Sequence, residues 1–356
     1  MTSSQSYVAH CNLISDTPVE FPLSYRSFAC VHPSLKTTMG AMISPRPEQW
    51  HLHDEYKENR FLESVQGVTH DDHFWYITTN GQNSGKRKRQ GQGIYKYDRS
   101  MNLIDSLEIS LNPDLSTLAN LPKKTESDLP YLDHLGDPDC YQGKIYIPVQ
   151  HPHGFLVVDT NLKGDSIEWY KTEKIGDSHP WCAVNPWNHK LYTSDFNDFH
   201  PHQRSYSLNL LAYETVEFNR APDFDIPLQV PSLRVQGGCF SRQGHVFLSS
   251  DANTKAKLLL DLGLSLESPE AVIILNELTQ TAIPFEPCIT AYCIVNGYFF
   301  GHIPVQRESG TTFKQELEGI TYWPFSVKGE ITNVHMVMLE NQLGTDGVYF
   351  KHFKGS

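Results

Sequence analysis

Five polar residues stand where five short apolar strands open: Gln66, His134, His179, Gln236 and Glu318. Strand openings in a purely structural repeat have no reason to be two imidazoles, two amides and a carboxylate. Three chemistries fit the set. His134, His179 and Glu318 are the two imidazoles and one carboxylate that can hold a divalent metal with open positions. Glu318 with a histidine can instead form an acid/base pair, one group giving and one taking a proton. Or the five can simply hydrogen-bond a ligand at the mouth of a pocket. A bland alternative stays beside these, in which the five bond neighbouring strands and channel waters. No organic cofactor is indicated, and a divalent metal is the one ion the ring admits.

Further residues lie close in sequence. Asp137 and Asp139 follow His134 and can orient an imidazole, hold an ion, or make the sharp turn around Pro138. Trp181, Tyr322 and Trp323 sit just inside the strands and suit either an apolar wall for a ligand or inter-strand core. With Gln66 and Gln236 they form the predicted substrate-binding set. His151-Pro152-His153 and the run from Asp195 to His202 are expected at strand ends, and His70 to His73 in a solvated turn.

The elements that must position these residues repeat along the chain. Each polar residue opens an apolar strand, a turn follows, and a second aromatic or β-branched strand comes next. A third strand follows each hairpin, as in Gly93 to Asp98, Phe155 to Asp159, Leu210 to Tyr213, Ile289 to Tyr292 and Val348 to His352. A fourth often comes after it. Four short antiparallel strands per repeat define an all-β fold of the β-propeller type, and the residues opening the innermost strands then converge on a central channel. The count is five blades, with six as the alternative if residues 1 to 60 form a divergent blade. The last repeat lacks a fourth strand, and the segment around Val19 to Val31 is expected to supply it and close the ring. Insertions fall at 80–92 with 113–129, and at 251–285, where 267–278 reads as a short helix. The whole of 1–356 is expected to form one domain.

The 356 residues carry a net charge of −12, which argues against nucleic acid, since phosphate contacts need a basic face. Lys86 to Arg89 reads as a solvated loop. No apolar run reaches the roughly 20 residues of a membrane span. Met1 to Gln5 lacks the features of a signal peptide. A cytoplasmic protein is the default expectation, and a secreted or vesicular one if a leader was removed. The cysteines, 7 in number, include no CxxC pair, so neither a full disulfide set nor a zinc knuckle is indicated. There is no glycine-rich phosphate loop and no Gly-x-Ser-x-Gly elbow. The expected partner is a small molecule.

His134-x-Gly-Asp-x-Asp139, Pro180-Trp-Cys-Ala-Val-Asn-Pro186, Gln236-Gly-Gly238, Glu316-Leu-Glu-Gly-Ile-Thr321 and the ending Asp346 to His352 resemble a family of bacterial and fungal propeller proteins, over residues 60 to 353. Among fungal proteins it resembles the hetero-Diels–Alderases of tropolonic sesquiterpenoid biosynthesis. That resemblance implies dehydration of a hydroxymethyl tropolone or phenol to an o-quinone methide, followed by directed addition to a humulene-type alkene. It would cast His134, His179 and Glu318 as the proton-handling residues, and Trp181, Tyr322 and Trp323 as the cleft. The chain is also similar to propeller lactonases that hold a divalent ion, but its ring is rich in His and Gln and has a single carboxylate. A non-catalytic ligand-binding propeller is the third reading.

Overall fold

Apolar runs flanked by turn residues make strands, and here they make strands buried on both faces. The computed structural model describes residues 44–51, 64–83, 89–109, 132–164, 167–172, 179–197, 207–215, 224–241, 244–252, 259, 263–265, 268–280, 283–305, 314–327, 330–341 and 346–354. The first strand is β1 (Ser44–His51). Blade 1 follows with β2 (Val65–His70), β3 (Trp75–Thr79), a small hairpin of β4 (Gln82–Asn83) and β5 (Arg89–Gln90), β6 (Gly93–Tyr97) and β7 (Leu103–Glu108). Blade 2 has an interrupted inner strand, β8 (Asp133–Leu135) and β9 (Asp139–Tyr141), then β10 (Lys144–His151), β11 (Gly154–Asp159) and β12 (Glu168–Lys171). Blade 3 is β13 (Ala183–Val184), β14 (Lys190–Thr193), β15 (Asn209–Glu214) and β16 (Phe224–Pro227). Blade 4 is β17 (Val235–Phe240), β18 (His245–Ser250), helix α1 (Pro269–Gln280), β19 (Cys288–Cys293) and β20 (Phe299–Pro304). Blade 5 is β21 (Lys314–Val327), β22 (Glu330–Asn341) and β23 (Gly347–Lys354). The fold is a five-bladed β-propeller, as the repeat predicts.

The fourth strand of blade 5 does come from the N-terminal part of the chain. It is β1, paired antiparallel with β23, and not the segment from Val19 to Val31, which lies outside the described residues. Burial falls from the axis outwards: β3, β18 and β19 are buried throughout, whereas the outer strand β7 exposes most of its residues. The reason is visible in the cores. Each junction between neighbouring blades has its own apolar cluster. Ile94 and Leu156 lie between blades 1 and 2, Phe155 and Tyr213 between 2 and 3, Tyr192 and Val246 between 3 and 4, Phe247 and Met336 between 4 and 5, and Trp75 and Val337 between 5 and 1. Five junctions for five blades is a closed ring.

The strand order also sorts the loops. The turns from first to second strand, and in blades 1 to 4 those from third to fourth, lie at one end of the ring, and those that the structure shows there are short. The crossings from second to third strand, and from one blade to the next, lie at the other. That other end carries the connections at 80–92, 109–132, 194–208 and 251–287, the last holding α1. Among the described residues no helix is long and apolar enough to cross a membrane, and Cys140, Cys182, Cys239, Cys288 and Cys293 are free thiols.

The junction that closes the ring holds a buried histidine pair. His335 and His352 face each other across β22 and β23 with their Nδ1 atoms 2.5 Å apart, and His335 Nε2 lies 2.7 Å from the Trp323 carbonyl. A carbonyl only accepts, so His335 carries its proton on Nε2 and accepts at Nδ1 from His352. Burial, then the neighbouring His352, hold His335 well below the ordinary imidazole range. The folded state thus refuses a proton that the unfolded chain binds at about 6.5. Stability is complete above that value and lost as pH falls through it. Urea unfolding midpoints are expected to drop between about pH 7.5 and 5, with a slope of up to about 1.4 kcal/mol per pH unit per histidine. The His335→Gln variant should flatten that slope; an unchanged slope would contradict the account.

Candidate active site at the long-loop mouth

The site begins with a bulge repeated in several inner strands. β2 pairs Val65 with Thr79 and Gly67 with Thr78, which leaves Gln66 as an extra residue. β17 pairs Val235 with Ser250 and Gly237 with Ser249, leaving Gln236. β21 pairs Leu317 with Met338 and Ile320 with Met336, again with one residue too many, at Glu318–Gly319. A bulge re-aims the side chain of the extra residue and bends the strand. Behind each polar residue stands a glycine, and these glycines meet at the axis. A Cβ placed on Gly319 would lie 2.1 Å from Asp137 Oδ1 and 2.4 Å from Gly67 Cα, and one on Gly237 would lie 2.8 Å from Gly319 Cα. The backbones of Gln66, Gln236 and Glu318, each next to one of these glycines, thereby approach one another around the axis, with the Gln66 and Glu318 side chains buried.

What fills the axis is Asp137. Its carboxylate accepts the N–H of Val68 (3.0 Å), Gly238 (3.0 Å) and Ile320 (3.1 Å), from blades 1, 4 and 5. Its own backbone N–H donates to Pro180 O and its carbonyl accepts from Cys182 N–H, both in blade 3. One blade 2 residue thus bonds every other blade. It is fully buried, and burial pushes its carboxyl well above the ordinary range against the pull of the three N–H donors. Asp139 is a second tie. It accepts from Val184 N–H, from Cys140 N–H and, at 3.4 Å, from Thr69 Oγ1, and burial raises its carboxyl to about 7. Both aspartates serve the ring itself, beyond the turn or ion contact considered from sequence.

The register corrects the expected five-membered ring. In blade 2, Leu135 pairs with Val149 and Asp139 with Tyr146, again with one extra residue. Thr78 Oγ1 donates to Gly136 O, as Ser249 Oγ donates to Glu318 O. Gly136, not His134, is therefore the partner of Glu318. His134 matches Ser64 and Arg234, all three with left-handed backbones at φ of 62°, 57° and 50°. In blade 3, Ala183 pairs with Tyr192 as Gly238 pairs with Leu248, so counting back puts Trp181, not His179, at the ring position. There are two tiers. Nearer the axis are Gln66, Gly136, Trp181, Gln236 and Glu318; two residues earlier are Ser64, His134, His179, Arg234 and Glu316. Arg234 and Glu316 were missed in the sequence. Their signal was the recurring run after the second strand, Thr78-Thr79-Asn80, Thr193-Ser194-Asp195 and Ser249-Ser250-Asp251, which aligns the blades correctly.

The remaining predicted residues separate. His179 is buried between blades 2 and 3, stacked on Phe155 with centroids 5.8 Å apart and edge-on to Tyr213 and His153. Trp181 is fully buried beneath Gly238 and donates from Nε1 to Ser194 Oγ. Tyr322 stacks on Phe247 between blades 4 and 5, and Trp323 on His70 between blades 5 and 1. These three aromatics are inter-blade core. His70 is not in a solvated turn: burial, against its backbone bonds, lowers its pKa. Gln66 donates from Nε2 to the carbonyls of Val65 and Ser64, which orients its amide. Among the described residues no group of three His, Cys, Asp or Glu side chains is placed to share a metal ion. Residues 198–202 of the Asp195 to His202 run lie outside the described residues.

No protein-family model matches this sequence, and no curated protein matches it. Among solved structures the chain is similar to glutaminyl cyclase of Myxococcus xanthus, at 10% identity over 87% of this chain and 95% of that one, with a TM-score of 0.45. It is similar to a gluconolactonase of Xanthomonas campestris, at 11% identity over 91% and 93%, with a TM-score of 0.40. The third is the PQQ-bound aldose sugar dehydrogenase of Streptomyces coelicolor, at 9% identity over 88% and 100%, with a TM-score of 0.40. Such likenesses bring none of these proteins' chemistry to this chain.

Asp137→Ala would leave three buried N–H groups without an acceptor, at about 1–3 kcal/mol each. Its urea midpoint should collapse, or the protein should fail to accumulate in soluble form. Gly319→Ala is expected to cost about 3 kcal/mol or more, because its Cβ would meet backbone and a buried carboxylate. A Gly319→Ala midpoint equal to wild type would refute the close approach at the axis.

Proposed function

We propose that the protein is a biosynthetic enzyme that binds small apolar substrates at the long-loop mouth and dehydrates a hydroxymethyl tropolone or phenol to an o-quinone methide, which it then directs into a hetero-Diels–Alder addition to a terpene alkene. The observation that carries the reading is the convergence of one carboxyl group and two amides around an axis that Asp137 closes. On this reading the mouth is a blind pocket, floored by the Asp137 that fills the axis. In the dehydration, Glu318 gives a proton to the leaving hydroxyl as the C–O bond breaks. Water departs, and the ring hydroxyl returns its proton to the carboxylate, so the quinone methide is neutral and the enzyme is restored. Gln66 and Gln236 hydrogen-bond the ring oxygens. His134, in the outer tier, is the second proton-handling group, and His179 and Trp181 support it from the core between blades 2 and 3. The cycloaddition needs no covalent catalysis. It needs two partners held in one orientation and little water beside a reactive intermediate.

The test is incubation of purified protein with a hydroxymethyl tropolone and a humulene-type terpene, read by chiral chromatography and mass spectrometry. Wild type should give one stereoisomer of the adduct. Glu318→Gln should slow product formation by about 100-fold or more while its circular dichroism and unfolding midpoint stay near wild type. Wild-type rates from Glu318→Gln, or a racemic adduct formed at the rate without enzyme, would overturn the reading.

A further inference from the structure

Blades 1 and 4 clamp the inner strand of the next blade with the same bonds but different charges. In blade 1, Asn80 N–H donates to Ser64 O, and Asn80 Oδ1 accepts the Leu135 N–H of blade 2 at 2.7 Å. Thr78 Oγ1 completes the clamp on Gly136 O at 2.9 Å. In blade 4, Asp251 N–H donates to Arg234 O, and Asp251 Oδ1 accepts the Leu317 N–H of blade 5 at 3.0 Å. Ser249 Oγ completes it on Glu318 O at 2.5 Å. The Ser64/Asn80 pair makes these bonds with no charge of its own, although the Ser64 N–H donates to Asp346 Oδ2 at 2.9 Å.

The charged pair stands at the junction whose bulge carries Glu318; the neutral pair stands at the one whose bulge carries Gly136. Arg234 Nη2 lies 3.8 Å from Asp251 Oδ2 and 3.9 Å from Glu316 Oε1, with the guanidinium 5.4 Å from the Phe196 ring centre. The Asp251 side chain is 1% exposed and that of Arg234 20%. Removing charges from water is costly and is repaid only by good geometry. A clamp built from an aspartate and an arginine is therefore a cost that the amide version avoids, and it is borne at the one bulge with a carboxyl group.

We propose that Arg234 and Asp251 are positioning residues for Glu318. Arg234 joins Asp251 to Glu316, and Asp251 holds the Leu317 amide, so the strand is fixed by charge at the two residues that lead into the one presenting the carboxyl group. The proposal rests on the reading of Glu318 as the working acid.

The test rebuilds the blade 1 pair in blade 4. In the same assay, the double variant Arg234→Ser/Asp251→Asn should unfold near the wild-type midpoint. Its kcat should fall about 10- to 100-fold, as misplacement of a reacting group predicts, with KM little changed. Arg234→Lys should retain most of kcat, because contacts this long are charge contacts and not a bidentate fork. Asn80→Asp, which puts the charge at the other junction, should leave kcat unchanged. Wild-type kcat in the double variant overturns the proposal. If the double variant does not fold, Asp251→Asn alone decides, since its amide oxygen keeps the Leu317 bond; wild-type kcat there is equally fatal. Glu318→Gln run in parallel separates the two ideas. Turnover by Glu318→Gln removes the reading of Glu318, whereas an inactive Glu318→Gln beside a fully active Asp251→Asn removes only the positioning role.

Discussion

A carboxylate with hydrogen-bonding ties to every other blade sets the terms for the rest of this molecule. Asp137 collects backbone N–H groups from blades 1, 4 and 5 and exchanges backbone bonds with blade 3. For its side chain to reach three inner strands at once, those strands must approach the axis more closely than side chains allow. Gly67, Gly237 and Gly319 make that approach. The bulge before each glycine lets the strand bend inwards and then rejoin its partner in register. The polar residues at the mouth are thus by-products of how the ring closes: each occupies the extra position that the bulge creates, and evolution is free to choose what stands there.

That freedom explains why equivalent positions carry such different residues. The bulge position is Gln66, Gly136, Trp181, Gln236 or Glu318 in successive blades. The ties that the scaffold repeats at this position are to its backbone, as the bonds from Thr78 to Gly136 O and from Ser249 to Glu318 O show. Trp181 uses its side chain as core, filling the space above Gly238. Gly136 leaves room for Pro180 O, which a Cβ would approach to 2.1 Å. The other three positions are left for polar groups. The polar residues at this position thus fall on blades 1, 4 and 5, the same three blades that the Asp137 carboxylate joins.

The fold was legible in the sequence because its signal is periodic. Five hairpins of polar opening, apolar strand and aromatic strand are hard to place in any other architecture. The site was legible only in part. Alternation alone aligned the polar openings with one another, and so matched His134 and His179 to Gln66 and Glu318. A bulge adds a residue without changing the polar–apolar pattern, and in blades 2 and 3 the extra residue is itself Gly136 or Trp181, neither of which looks like a mouth residue. The closing strand was hidden for a related reason. β1 contains Pro45 and Pro47 and lies at a sheet edge, where proline is tolerated and protects against further pairing. An apolar stretch such as Val19 to Val31 is the natural sequence choice, yet an outermost strand with few neighbours has little need of apolar side chains.

Which end of the ring carries the long connections follows from the antiparallel order and not from any single residue. Turns at one end join adjacent strands of a hairpin, and the structure shows them short. At the other end the chain must cross to a third strand or to a new blade, and insertions there disturb no pairing. Glu318 and the two glutamines open on that end because inner strands start there. Below that end the axis is filled by Asp137, whose carboxylate accepts from blades 1, 4 and 5. Glu318 opens there on a strand tied just before it and just after it, through Leu317 N–H to Asp251 and Ile320 N–H to Asp137.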